Sequence, residues 1–324
     1  MKRGLLFLLV ALALSILAAG TTVWLLWAGP GPYSEPKTLI VDQGSSVARV
    51  AVQLDEAGAI RGNSTTFRAF ARLLGGNGPI QAGEFQLRPG MSPAAILTHL
   101  QYGRPIQRLV TIPEGTPSVL VHERLMRIPY LTGSIEVPVE GSVLPDSYSY
   151  RRGESRSAVL ARMQQAMRRE LARLWAERSN NSVVVSREAA IILASIVEKE
   201  TGKPSERRMV AGVYTNRLRR GMPLQADPTV IYPVTRGRPL GRRIRQSELR
   251  ANNGYNTYAS AGLPIGPIAN PGRESIAAVL NPAPTNAIYF VADGTGGHVF
   301  ADTLQQHNAN VARWYALRRA RGEM

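Results

Sequence analysis

Two carboxylates stand two positions apart in the stretch IILASIVEKETG, Ile191 to Gly202: Glu198 and Glu200, at the end of a run of small and apolar residues. A carboxylic acid that keeps its proton near neutral pH can donate it to a leaving oxygen. Ser186 is a candidate N-cap, Glu188 falls in the first turn and Gly202 can close the helix, so Ser186 to Thr201 reads as a helix of about four turns. Residues i and i+2 lie about 200° apart on such a helix, and the two acids cannot share a face. Glu200 stands over Val197, Ile196 and Leu193, whereas Glu198 follows Ser195, Ala194 and Ile191. Glu200 therefore continues the row expected to be buried, where loss of hydration raises a carboxyl pKa. Taken alone, the helix leaves open that both acids are solvated and pair with Lys199, Lys203 or Arg207.

Polar residues on turns follow. VAGVYTNRLRRGMPLQADPTVIY places Asn216, Gln225, Asp227, Thr229 and Tyr232 around a helix end and a Pro228 turn, and the long loop GYNTYASAGLPIGPIANPG adds Tyr255, Asn256 and Tyr258. Amides, hydroxyls and aromatic faces on turns suit a carbohydrate cleft, although each can equally stabilise a turn. Asp227 is the nearby acid that could serve as a second carboxylate; setting a turn before Pro228 is its competing role. His298 and His307 lack the partners and spacing of a metal site. The chain has no cysteine, which excludes thiol chemistry and thiolate metal sites. It also lacks HExxH, a P-loop and Gly-x-Ser-x-Gly, so zinc, nucleotide and serine-hydrolase chemistry find no support, and neither metal nor cofactor is expected.

Those residues need elements to hold them, and 324 residues with 44% apolar content suffice for two domains with real cores. Gly4 to Ala28 carries no charge over 25 positions, more than the roughly 20 residues that cross a hydrocarbon core as a helix. The apolar run continues past the small residues of LAAG, too far for a signal peptide, so it reads as an uncleaved anchor with Trp24 and Trp27 in an interfacial belt. Lys2 and Arg3 before it place the N-terminus in the cytoplasm and the remainder outside. Net charge is +16, and those two residues supply 2 of it, leaving +14 outside. Such a surface favours an anionic polymer or lipid headgroups; an exported, anchored chain would rarely meet nucleic acid.

GPGPYSEPKT, Gly29 to Thr38, reads as a linker. Leu39 to Gly103 then gives strand, helix, helix, strand and a further helix from Pro93 to Gly103, an order that resembles a LysM-like module, a fold that grips N-acetylglucosamine-containing glycans. Gln107 to Tyr150 is rich in strand and turn signals. Glu154 to Arg178 is a basic amphipathic helix with a stripe of Leu160, Met163, Met167, Leu171 and Leu174.

LASIVEKETG, YTNRLRRGMPLQADPTVIY, YNTYASAGLPIGPIANPG, NPA and YFVADGTGGHVF with the later HN together resemble the MltG (YceG-like) endolytic murein transglycosylase family, in the family's order and over nearly the whole chain. The resemblance implies an α+β protein: a cytoplasmic tail (1–3), a single transmembrane helix (4–28), a linker (29–38), a LysM-like domain (39–105) and a catalytic domain (106–324, with a connecting segment 106–150). It implies a membrane-anchored enzyme that cuts nascent peptidoglycan strands near the inner membrane to 1,6-anhydromuramic ends and so limits glycan elongation; the outside compartment is a periplasm or a Gram-positive wall zone, and the short cytoplasmic tail leans to an inner membrane with the catalytic part periplasmic. Glu200 matches the family's catalytic acid, and cell-wall synthases become candidate partners. Two departures stand out: Pro264 is followed by Ile265 where a second proline is expected, and Arg236 to Arg250 is rich in arginine. The competing readings are a lysozyme-like hydrolase using Glu200 and Asp227, and a non-catalytic wall-binding scaffold.

Overall fold

The structure, a computed structural model, describes residues 2–323. Met1 and Met324, the outer ends of the expected tail and catalytic segment, lie outside the described residues. The protein is α+β and divides into two compact units, one taking the chain to Arg108 together with Ser149–Glu154, the other Leu109–Tyr148 and Ser155 onward.

In the first unit, α1 (Lys2–Val23) continues into a five-residue π-helical segment, Trp24–Ala28. Leu6 to Ala28 is long and apolar enough to cross a membrane, and side chains such as Phe7, Leu12 and Leu17 are exposed. The tryptophans part company. Trp24 is exposed, but Trp27 is buried against Phe67 and Phe70, with ring centroids 5.7 and 5.9 Å away. The expected interfacial pair is therefore one exposed ring and one core ring.

β1 (Lys37–Val41) pairs antiparallel with β2 (Gly83–Leu87), running from Lys37 opposite Leu87 to Val41 opposite Gly83. Between them lie α2 (Val47–Glu56) and α3 (Ser64–Leu74), and α4 (Pro93–Tyr102) follows. Ser46, Asn63 and Ser92 cap these three helices by accepting the N–H three residues on. The two strands alternate, so Leu39, Val41, Phe85 and Leu87 face inward onto Val50, Leu54, Phe67, Ile96 and Leu100. Each such buried side chain contributes about 1.5–3 kcal/mol.

The stretch expected as a linker is packed onto this unit. Tyr33 is buried, the Gly31 N–H donates to the Gly90 carbonyl, the Gly90 N–H donates to the Tyr33 carbonyl, and Arg61 Nε holds the Pro30 carbonyl at 2.8 Å. Pro and Gly supply the turns, but backbone partners on β2 and its following turn fix them.

β3 (Arg108–Thr111) forms a two-stranded ribbon with β4 (Ser147–Tyr150), and α5 (Ser118–Met126) lies between them in sequence. The second unit is built around α7 (Arg187–Glu200), whose Ala190, Ile191, Leu193, Ala194, Ser195, Ile196 and Val197 are all buried. Around it pack α6 (Arg156–Ala176), α8 (Arg207–Arg219), α9 (Asp227–Thr235) and, after the short α10 (Gln246–Leu249), α11 (Arg273–Leu280). A hairpin of β5 (Tyr289–Ala292) and β6 (His298–Ala301) and a last helix α12 (Leu304–Ala320) complete it. On α6 the buried row is Val159, Met163, Met167 and Leu174, so Val159 takes the core position expected of Leu160.

Candidate active site

Ser186 caps α7 by accepting the Ala189 N–H, and the helix stops at Glu200 because Thr201 is extended (φ −131°). The Thr201 hydroxyl accepts the Lys203 N–H and fixes the turn. Glu198 and Glu200 leave the helix on different sides, and both are sheltered. Burial does not tell them apart as the apolar row suggested, since α7 is enclosed almost all round; their partners do.

Glu198 accepts the Gly272 N–H at 2.9 Å and lies 3.5 Å from Arg207, which also reaches Glu114 at 2.9 Å. Gly272 is the N-cap of α11, so this carboxylate sits where a helix N-terminus favours negative charge. Its oxygens are occupied in holding α7, α8 and α11 together.

Glu200 has no ion pair or backbone N–H of that kind: its Oε1 is enclosed by protein and unpaired, and the Tyr214 hydroxyl is its hydrogen-bonding neighbour. Burial pushes its pKa up to about 7, and the Asp227 carboxylate pushes in the same direction, against the Tyr214 hydroxyl and the Arg217 guanidinium. A carboxyl poised there can give up a proton and take one back at neutral pH.

The surroundings of Glu200 come from α8, the α8–α9 turn and the long loop before α11. Tyr214, on α8, is fully buried and its pKa is raised by burial and by Glu200. Arg217, one turn on, donates through Nε to the Ile288 carbonyl (2.7 Å) and through Nη1 to the Leu224 carbonyl (2.8 Å) and Gln225 Oε1 (3.4 Å), and lies over the Tyr289 ring. Gln225 is held at φ +53°, a left-handed conformation unusual for a residue with a side chain, by its N–H bond to the Thr257 carbonyl. Asp227 opens α9 and accepts the Tyr258 hydroxyl at 2.6 Å. Burial and this carboxylate together raise the Tyr258 pKa, so the phenol stays protonated.

Glu200, Gln225, Asp227 and Tyr258 are thus brought into one neighbourhood. The other sequence candidates are engaged elsewhere. Asn216 donates to the Thr285 and Ala287 carbonyls, and Asn256 to the carbonyls of Glu248, Leu249 and Ala251. Thr229, fully buried, exchanges hydrogen bonds with Thr257 through hydroxyl and N–H. These three side chains pin loops rather than offer free donors. Tyr232 donates to Glu140 at 3.1 Å and packs its ring against Tyr255, 5.0 Å between centroids. His298 pairs with Glu206 at 2.8 Å, and His307 stacks on Tyr289. Among the described residues no group of three His, Asp or Glu side chains converges as a metal would require.

Sequence reasoning missed Tyr214 and Arg217. Their spacing of three puts them on one helical face, and that was the available signal, but Arg217 stands among Arg219 and Arg220 and reads as one more surface charge.

Residues 39–313 match the model of the YceG-like family, and the chain belongs to that family. It is similar to the endolytic murein transglycosylase of Bacillus subtilis (strain 168), 28% identical over 301 residues, covering 83% of this chain and 82% of the relative. It is also similar to the endolytic murein transglycosylase of Streptococcus pneumoniae (strain D39), 26% identical, covering 85% of this chain and 58% of that longer protein. A crystal structure of a yceG-like protein from Listeria monocytogenes superposes with a TM-score of 0.52 at 26% identity, covering 85% of this chain and 98% of the other.

Proposed function

We propose that this chain is a membrane-anchored endolytic lytic transglycosylase of peptidoglycan, with Glu200 as its acid and base. The observation that carries the reading is the enclosed Glu200 carboxyl, its Oε1 unpaired and its pKa about 7, in a family member similar to proteins named endolytic murein transglycosylase. Glu200 protonates the oxygen linking N-acetylmuramic acid to N-acetylglucosamine. As that bond breaks, the muramic C6 hydroxyl attacks the anomeric carbon and Glu200 takes its proton. The product is a 1,6-anhydromuramic end, and no water is consumed. Closure is intramolecular, so holding the sugar in place supplies much of the rate. The Asp227 carboxylate keeps Glu200 protonated for the first step, and Gln225 and Tyr258 are the groups offered for sugar contacts.

Residues 39–105 serve as a LysM-like unit that grips the glycan, a role supported by two helices set between paired strands. Residues 4–28 anchor the chain in the inner membrane with residues 1–3 cytoplasmic, and residues 106–324 act in the periplasm beside the cell-wall synthases, ending glycan strands as they grow.

One observation favours a second reading: Asp227 is near enough to raise the Glu200 pKa, as a base in a two-carboxylate hydrolase would be. Digestion of uncrosslinked peptidoglycan strands by the detergent-solubilised full chain and by Glu200→Gln, followed by mass spectrometry of the released ends, separates the two. Ends lighter by one water and absent with the variant support the transglycosylase; ordinary reducing ends support the hydrolase; no cleavage by the folded chain leaves the scaffold.

A further inference from the structure

The π-helical segment Trp24–Ala28 does more than prolong an apolar helix. Trp27 closes onto Phe67 and Phe70 of α3, and Leu26 reaches the Gly62 backbone and Thr66 region at the start of the same helix, where a Cβ at Gly62 would meet it at 3.4 Å. Three and four residues beyond Phe70 stand Leu73 and Leu74, 76% and 56% exposed. Side chains at those spacings share a helix face, so the two leucines extend the strip of α3 against which the apolar segment ends. Trp24 and Leu25, on the segment itself, are exposed as well.

Positive charge borders this strip. Arg68 and Arg72 stand one turn apart on α3 and are exposed, Arg61 holds the Pro30 carbonyl, and Arg88 lines a pocket with Ala28 and Pro30. Among the described residues none of these four arginines is ion-paired with an acid, and α3 contains no acidic residue. Apolar side chains flanked by arginines on one short helix, held at the end of a membrane-length segment, are the composition of a surface that lies in a bilayer interface.

We propose that α3 is a second membrane contact: Leu73 and Leu74 bed into the interface of the bilayer that α1 crosses, and Arg61, Arg68, Arg72 and Arg88 meet anionic phospholipid headgroups. The inference rests on reading α1 as a membrane anchor. Headgroup attraction falls off within about a Debye length, ~8 Å at physiological salt; Arg61 and Arg88 stand beside Pro30 and Ala28 where the apolar segment ends, and Arg68 and Arg72 lie on the helix against which Trp27 packs.

The cysteine-free sequence allows a direct test with the full chain. Single variants Leu73→Cys, Gln43→Cys and Ser15→Cys are labelled with an environment-sensitive fluorophore and reconstituted into vesicles of phosphatidylcholine with or without phosphatidylglycerol. Gln43 is exposed beyond the Val41 end of β1, the end of the strand pair away from Arg88, and serves as the aqueous control. The expected result is deep nitroxide quenching at position 15, shallow nitroxide quenching with several-fold weaker iodide quenching at 73, and aqueous behaviour at 43. Adding Arg68→Gln and Arg72→Gln should bring the shielding at 73 in anionic vesicles down to its value in phosphatidylcholine. An aqueous label at 73 while 15 reports the bilayer overturns the proposal and leaves the anchor standing. An aqueous label at 15 removes the anchor and this proposal with it. Shielding at 73 that appears only on adding glycan strands assigns the groove that Arg68 and Arg72 line with Ser46 and Gln101 to sugar instead, and also overturns it.

Discussion

Glu200 carries its proton into a pH range where most carboxylates have lost theirs, and two consequences can be measured. Its pKa rises from the ordinary 4.5 to about 7 on folding. Between those values the folded chain holds a proton that the unfolded chain has released, so stability falls as pH climbs through that window and stays lower above it. Glu200→Gln removes the titration; thermal denaturation should show a stabilised variant above pH 7, by on the order of 3 kcal/mol, and little difference below pH ~4. The same variant should lose about 10²–10⁴-fold in strand cleavage. The cleavage rate of the unaltered protein should decline above about pH 7. Because the Asp227 carboxylate opposes ionisation of Glu200, Asp227→Asn should move that decline to lower pH, read from a pH–rate profile.

Among the elements, the turn between α8 and α9 is held by contacts that sequence spacing conceals. Gln225 at φ +53° is tolerated because its N–H is fixed to Thr257 and its side chain to Arg217. A β-branched side chain fits that conformation worse still, so Gln225→Ile should destabilise the protein by about 1–3 kcal/mol in chemical denaturation, and Gln225→Gly should not. Thr229→Val keeps the shape but orphans the Thr257 N–H, at a cost of about 1–3 kcal/mol in the same measurement. The cap at Ser186, and the ends of α4 and α7 to within a residue, could be read from local chemistry because capping is a local interaction. The roles of Asn216, Arg217 and Asn256 could not, since their partners include carbonyls about 70 residues away for the first two and a loop fold for the third. Amides and hydroxyls that read as sugar ligands are for the same reason loop pins. The burial of Glu200 was legible, though that alone does not single it out: the row beneath it is buried, but so is the row beneath Glu198, and what separates the two acids is the Gly272 N–H and Arg207 that satisfy Glu198.

At the scale of the molecule, belonging to the YceG-like family accounts for residues 39–313 but leaves out the apolar segment before them, and that segment is joined to the first unit through its core. Trp27→Ala should cost that unit about 3–5 kcal/mol, the range for deleting a buried aromatic. Hydrogen exchange of α3 and α4 should rise, while α7 and α8 remain as protected as before.

The buried Trp27 and the pinned Gly29–Thr38 stretch also decide what kind of attachment this is. A flexible leash lets its cargo search a volume whose radius grows with linker length and dilutes it accordingly. Here Trp27 and, after it, Pro30, Gly31 and Tyr33 are fixed to the folded unit, so with the proposed anchor the attachment is a stand rather than a leash. With the anchor proposed above, the height of the first unit above the bilayer is set by packing, and the glycan it meets is confined to a thin layer at that height.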